Sequence, residues 1–164
     1  MRFAYADPPY PGQAKRHYGP DAREVNHPLL IAHLETFDAW ALSTSSPALP
    51  SVLTMCPPKV RIAAWVKPFA SFKPNVHPAY AWEPIIFRGA VARSRSHPHV
   101  TDWVASNITM GRDTHGAKPD KVWYWLFSMM GLGREDEFID VFPGSGAGRI
   151  AWEHWCGVRQ LELA

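Results

Sequence analysis

Apolar residues along this chain fall into short runs separated by proline- and glycine-rich turns. Residues 2–6 (RFAYA) read as a short buried strand that stops at Asp7-Pro8-Pro9, because proline cannot continue a sheet ladder. Residues 11–27 hold Pro11, Gly12, Gly19 and Pro20 among polar neighbours and read as a loop. Leu29, Leu30, Ala32, His33, Leu34 and Phe37 then recur at helical spacing, which predicts a helix over roughly 28–36 with Asn26 as its cap. Further strands are predicted at 39–45, 61–66 and 80–87, with a short helix at 47–56. The segment from Arg88 to Lys118 is long, polar and irregular, and a loop of that length inside a compact domain is usually functional or disordered. Pro119 can open a helix whose buried face comes from the apolar residues between Val122 and Leu132. A strand at 137–142, a tight turn at 143–146, a helix at 147–156 and a closing strand at 159–164 complete the reading.

Strands alternating with helices predict an α/β fold with a doubly wound, mostly parallel sheet. Ligands of such sheets sit beyond the carboxyl ends of the strands. The turns at 7–10 and 143–146 both fall at such ends, and that coincidence directs the search for function.

Composition changes this picture only slightly. The chain has 164 residues, so we expect a single domain, 1–164, with 88–117 as the candidate substrate-recognition loop. Eight tryptophans supply large flat surfaces for a small core or for stacking on bases, and sixteen prolines stiffen the connections. Net charge is only +2, which does not by itself announce a nucleic-acid partner. Its distribution says more: Lys15, Arg16, His17 and Arg23 cluster early, and Arg88, Arg93, Arg95, His97 and His99 cluster mid-chain. Such patches can track phosphates, although solvated loop charge would look the same. Lys15, Arg16, His17, Arg93 and Arg95 are the candidate nucleic-acid contacts. Cys56 and Cys156 show neither a metal-ligand spacing nor a disulfide framework, and His77 lacks a ligand-like partner, so no metal is expected. With no signal-like start and no apolar run long enough to span a bilayer, a cytoplasmic protein without a membrane partner is expected.

The chemistry resides in two turns. Asp7-Pro8-Pro9-Tyr10 offers a carboxylate, a rigid backbone carbonyl at Pro8 and an aromatic ring in four residues. An exocyclic amine of adenine or cytosine is a poor nucleophile, since its lone pair is delocalised into the ring. Two acceptors for its hydrogens would favour tetrahedral geometry and stabilise positive charge developing on nitrogen. Tyr10 could stack on a base taken out of a helix. Read alone, the same tetrapeptide is a turn that ends a strand. Asp140-Val141-Phe142-Pro143-Gly144-Ser145-Gly146 lies between strand and helix, where glycines let a ligand approach the backbone at a helix start. It lacks the G-K-S/T ending of a phosphate-binding loop, which excludes that class of nucleotide hydrolase.

D-P-P-Y, then Lys118-Pro119 at a helix start, then F-x-G-S-G resembles the permuted, beta-class amino-methyltransferases of DNA and the related adenine methyltransferases similar to the MT-A70 family. Trp65-Val66-Lys67-Pro68 and Ala81-Trp82-Glu83-Pro84 also look like segments of the bacterial and phage enzymes of that kind. The resemblance spans nearly the whole chain as a framework. It implies a circularly permuted, Rossmann-like methyltransferase fold with S-adenosyl-L-methionine as cofactor. It also implies that Asp7, Pro8, Pro9 and Tyr10 hold the target base. Lys118, Pro119, Asp140, Phe142, Gly144, Ser145 and Gly146 would line the cofactor pocket, with Glu162 on the ribose hydroxyls. Lys67 and Glu83 read either as walls of the site or as a simple ion pair, and the pair is favoured.

Two departures qualify the match. His115-Gly116-Ala117-Lys118-Pro119 is one residue shorter than the family's H-P-T-x-K-P, and the sequence stops just after Glu162. The second leads us to expect a thin adenine pocket, or one completed by a homodimer mate or partner subunit. The expected activity is methylation of adenine N6 in DNA. The alternatives are cytosine N4, an RNA or free-nucleotide acceptor, and a binding subunit without catalysis.

Overall fold

The computed structural model describes residues 1–15, 19–21, 23–69, 76–92, 96–109 and 117–161, and the side chains of 158–161 are left aside. Six strands form one sheet: β1 (Arg2–Ala6), β2 (Ala39–Ser43), β3 (Arg61–Val66), β4 (Trp82–Arg88), β5 (Trp103–Ala105) and β6 (Glu137–Asp140), in the order β5-β3-β4-β2-β1-β6. The pairs β1–β2, β1–β6 and β3–β5 are parallel, while β4 is antiparallel to both β2 and β3. Five strands therefore point one way and β4 alone runs against them, as the mostly parallel expectation required. The last strand in sequence, β6, lies beside the first. That adjacency is the permuted order.

Helices cover both faces. α1 (His27–Leu34) and α2 (Leu49–Leu53) are on the same side as Ala4, Trp40, Leu42 and Ile86. α3 (Asp120–Met130) and α4 (Ala147–Leu161) are on the side of Phe3, Tyr5, Ile85 and Phe87. Alternate residues of each strand feed alternate cores, because successive side chains of a strand point to opposite faces. That is why β1, β2 and most of β4 are buried almost end to end.

The helix ends follow local chemistry. The Asn26 side chain accepts a hydrogen bond from the Leu29 amide at 3.1 Å, the cap expected from the sequence. Pro119 caps α3 in extended conformation. At its other end Gly131 adopts φ 81°, and the Leu132 and Gly131 amides donate back to Phe127 and Ser128 at 2.9 and 3.1 Å. This is a Schellman motif, with Phe127 and Leu132 both buried as its hydrophobic contact.

Two expectations need correction. The stretch 88–118 is not wholly irregular, since Trp103–Ala105 pairs with Ala64–Val66 as an edge strand. Its three residues were too few to show a period. The closing strand expected over 159–164 is not formed at its start: α4 continues to Leu161. Lengthening an existing helix needs no new nucleus, so a brief apolar–polar alternation does not interrupt it. Glu162 lies outside the described residues. No helix among the described residues is long and apolar enough to cross a membrane.

Candidate active site

The carboxyl ends of β1, β2, β3, β5 and β6 share one sheet edge, and the reversed β4 begins there. Asp7, Lys67, Glu83 and the turn after Asp140 therefore meet at one place from distant points of the sequence.

Lys118 is the hub. Its side chain is only 3 % exposed, and its Nζ lies 2.5 Å from Asp7 Oδ2 and 2.9 Å from Glu83 Oε1. Lys67 Nζ donates to the other oxygen of Glu83 at 2.9 Å. The Tyr5 and Trp65 rings flank Lys118 Nζ, each centroid at 5.6 Å. Tyr5 is held in turn by a 2.6 Å hydrogen bond between its hydroxyl and Ser43 Oγ, and Trp65 donates from Nε1 to the Ser106 carbonyl at 2.8 Å. Trp65 is thus a core residue, as expected.

One buried cation shared by two carboxylates sets unequal proton affinities. Burial opposes the charge on Lys118, but Asp7 and Glu83, helped by Tyr5 and Tyr10, hold it above the usual lysine range. For Glu83 burial favours protonation, yet Lys118 and Lys67 together outweigh it and hold the carboxyl below its ordinary range. Among the described residues Asp7 is bonded to Lys118 alone, so burial wins and its pKa is raised, with the charge of Glu83 adding to the effect. Two carboxyls a few ångströms from one ammonium are thereby pushed apart in acidity, the usual sign of divided roles. Tyr10 belongs to the same cluster. Burial, then Glu83 and Asp7, raise its phenol, so it stays neutral.

The second turn sits beside the first. The Val141 amide donates to the Tyr5 carbonyl at 2.8 Å, which extends the β6–β1 pairing to the start of the turn. Asp140 Oδ1 accepts from the Phe142 amide at 3.2 Å. Burial raises the pKa of Asp140, and the charge of Asp7 contributes to that rise. Gly144 and Gly146 have φ +46° and +77°. A Cβ at Gly146 would meet nothing within 4 Å, and one at Gly144 only the Phe142 carbonyl at 3.9 Å. These glycines therefore leave the turn open to a ligand rather than packing it shut. Gly148 is the opposite case: a Cβ there would lie 2.6 Å from Asp140 Oδ2 and 2.9 Å from the Trp123 ring. It lets the start of α4 rest on β6 and α3.

Most of the expected site residues fall within this assembly. Asp7, Tyr10, Lys118 and Asp140 interact with one another, Pro8 is buried, and Pro9 and Phe142 are half-buried. Pro119 starts α3 directly after Lys118, and Ser145 is exposed in the open turn. Lys118, expected at the cofactor pocket, is bonded to the Asp7 carboxylate. Lys67 and Glu83 are both an ion pair and a wall of the site. Glu83 was hard to recognise because its placement depends on the reversal of β4, which its flanking residues do not encode. Gly148 was missed, although the glycine repeat continuing past Gly146 was a readable signal.

Lys15 is exposed on a segment pinned near the acceptor turn, where Glu24 accepts from the amides of Gly12 and Ala14 at 3.1 and 3.2 Å. Arg16, His17, Arg93, Arg95, His115 and Gly116 lie outside the described residues. Arg88 ends β4 at the opposite edge and pairs with Glu35, so it is removed from the site. Among the described residues no group of three or more His, Cys, Asp or Glu side chains could hold a metal ion.

No family model matches the sequence, and no curated protein does. Solved structures do match. A crystal structure of the M1.HpyAVI–SAM complex aligns with 95 % of this chain and 78 % of its own, with TM-score 0.64 and 12 % identity. A crystal structure of M1.HpyAVI aligns with 94 % of this chain and 76 % of its own, with TM-score 0.63 and 14 % identity. The fold is a methyltransferase fold. Within it, the Asp7–Tyr10 turn and the glycine turn follow neighbouring strands at one edge, with the buried lysine pinned to Asp7.

Proposed function

We propose that this protein is an S-adenosylmethionine-dependent methyltransferase that methylates the exocyclic amine of a nucleobase, adenine N6 in DNA. The observation that supports this best is the Asp7 carboxylate, anchored by buried Lys118, one strand away from a glycine turn open to a ligand. The likeness to the M1.HpyAVI–SAM complex is in accord with that cofactor.

The residues present fit the cofactor. The charge of Asp7 adds to the raised proton affinity of Asp140, a repulsion that an incoming cation would relieve. S-adenosylmethionine carries a sulfonium and an ammonium group, and when bound it supplies a methyl group on positively charged sulfur. The open positions at Gly144 and Gly146 let its body approach the backbone. Asp140 and the amides of the turn would hold its polar end.

On the acceptor side, Asp7 and the Pro8 carbonyl take hydrogen bonds from the two amine hydrogens and localise the nitrogen lone pair. Positive charge developing on that nitrogen as it takes up the methyl group would be met by Asp7. The proton then leaves nitrogen for Asp7 or for water. The raised pKa makes Asp7 a better acceptor for it than an ordinary aspartate. Tyr10, neutral and half-buried, offers its ring to the flipped base. Lys118 keeps Asp7 oriented.

Lys15, with Arg16, His17, Arg93 and Arg95, is proposed to meet phosphates. The segment 88–117 is proposed as the recognition loop, and its part after β5 leaves from the site edge. A single domain acting alone or as a homodimer is the working assembly. The test is incubation with methyl-labelled cofactor and DNA, followed by digestion to nucleosides. Label in N6-methyldeoxyadenosine is expected. Label only in N4-methylcytosine would remove the adenine assignment, and cofactor binding without label in any nucleic acid would leave a binding subunit.

A further inference from the structure

A cleft of about 320 Å³ opens at the reactive edge, apart from the glycine turn, lined by Ser46, Val76, His77, Tyr80 and Trp82 among others. We propose that it is a second nucleobase site, which stacks a base flanking the target in a single-stranded or locally opened nucleic acid. The inference rests on the function proposed above and adds the substrate form to it.

Position is the first support. Ser43 pairs with Ile85, and the Thr44 amide donates to the Pro84 carbonyl at 3.1 Å. Continuing that ladder brings Ser46 level with Trp82 at the edge. Trp82 directly precedes Glu83, whose carboxylate is bound to Lys118 and through it to Asp7. Alternation sends neighbouring strand residues to opposite faces. Glu83 thus faces the reactive cluster, together with Ile85 and Phe87, while Trp82 shares the other face with Ile86. A strand whose target base enters beside Asp7 needs only to cross the sheet edge for its neighbour to reach the cleft.

The lining supplies the chemistry. Tyr80 is 47 % exposed and Trp82 39 %, two large rings offered to solvent two residues apart. Ser46 and His77 add a hydroxyl and an imidazole as hydrogen-bonding groups. Among the described residues no acidic residue, lysine or arginine lines the cleft, and its described walls suit a neutral planar ring. Its volume is at the lower end for ligand sites, enough for one ring system and not for an extended chain. Aromatic stacking accepts any base, since every base presents a π-face. A site of this kind strengthens binding to unpaired nucleic acid without dictating sequence.

The test uses the full chain and a fluorescent single-stranded oligonucleotide with one adenine, together with versions carrying an abasic position on either side of it. For the wild type, one abasic position is expected to weaken binding about ten-fold. In Trp82→Leu and Tyr80→Ala the intact oligonucleotide should bind about ten-fold more weakly, and the abasic position should then matter little, as expected for interacting partners. Trp82→Phe and Tyr80→Phe should restore most of the effect. Affinity for S-adenosylmethionine should be the same in all variants. Abasic penalties equal in wild type and variants, or absent from the wild type, would overturn the cleft while leaving methylation intact. A wild type that neither binds nor methylates the oligonucleotide or any other nucleic acid would overturn the underlying function as well.

Discussion

The turns after β1 and β6 lie next to each other and are built on opposite principles. At the first, charge is buried: Asp7, Glu83, Lys118 and Lys67 form a chain of contacts of 2.5 to 2.9 Å. Little can shift there without stranding an ion. At the second, space is kept empty by Gly144 and Gly146, and only Gly148 is tightly packed. The first arrangement suits a small acceptor that must be oriented against developing charge. The second suits a larger ligand that approaches along the backbone. A site that joins two substrates needs both kinds of wall.

Removing the hub should have the largest effect. Lys118→Met leaves two buried carboxylates with one remaining cation, and the expected loss of stability is about 3–5 kcal/mol. Chemical unfolding measures it, and near-native stability would show that charge is not what shapes the acceptor wall. Next comes Asp7→Asn, which keeps the shape and removes the charge. Methyl transfer should fall on the order of 10²–10³-fold, with a much smaller change in S-adenosylmethionine affinity by calorimetry. Equal losses in both would mean that the two turns are not functionally distinct.

The glycine side can be probed in the same spirit. Gly148→Ala adds a Cβ into Asp140 and the Trp123 ring and should cost about 1–3 kcal/mol, as overpacking does. Gly146→Ala meets open space and suffers only its positive φ, a strain of about 1–2 kcal/mol. Thermal melts with and without cofactor separate the two, since Gly148→Ala should also displace Asp140. If the alanine at 146 proved the more damaging, the turn would be packed rather than open.

The mildest test is acidification. Asp7 titrates above its ordinary value, so its ionised form weakens the fold, and protonation as pH falls through that raised value favours the folded state. Glu83 titrates below its ordinary value. Its contribution is present above the unfolded value and is lost only as pH falls through the lowered one. Catalysis should therefore fade at a higher pH than folding does. Rates and circular dichroism from the same samples would show the gap, and coincident midpoints would argue against a divided pair.

Much of this was legible from local pattern. RFAYA, RIAAWV and the residues after Pro119 announced β1, β3 and α3, because each carries its own period and its own stop signal. Asn26 declared itself as a cap for the same reason. The acceptor and glycine turns were visible because proline and glycine restrict backbone geometry wherever they occur. Trp103–Ala105 was missed because three residues show no period, and the end of α4 because a helix once started overrides a weak local preference.

Most of the elements, their order and the two chemistry-bearing turns could be read from the chain, since those depend on interactions between residues close in sequence. That Lys118 pairs with Asp7, that Glu83 joins them and that Trp82 looks out on the other side emerged only from the folded sheet. These outcomes follow from the reversal of β4 and the position of β6 beside β1. Strand direction and neighbour choice come from packing two cores at once, a balance summed over the whole sheet that no short segment contains.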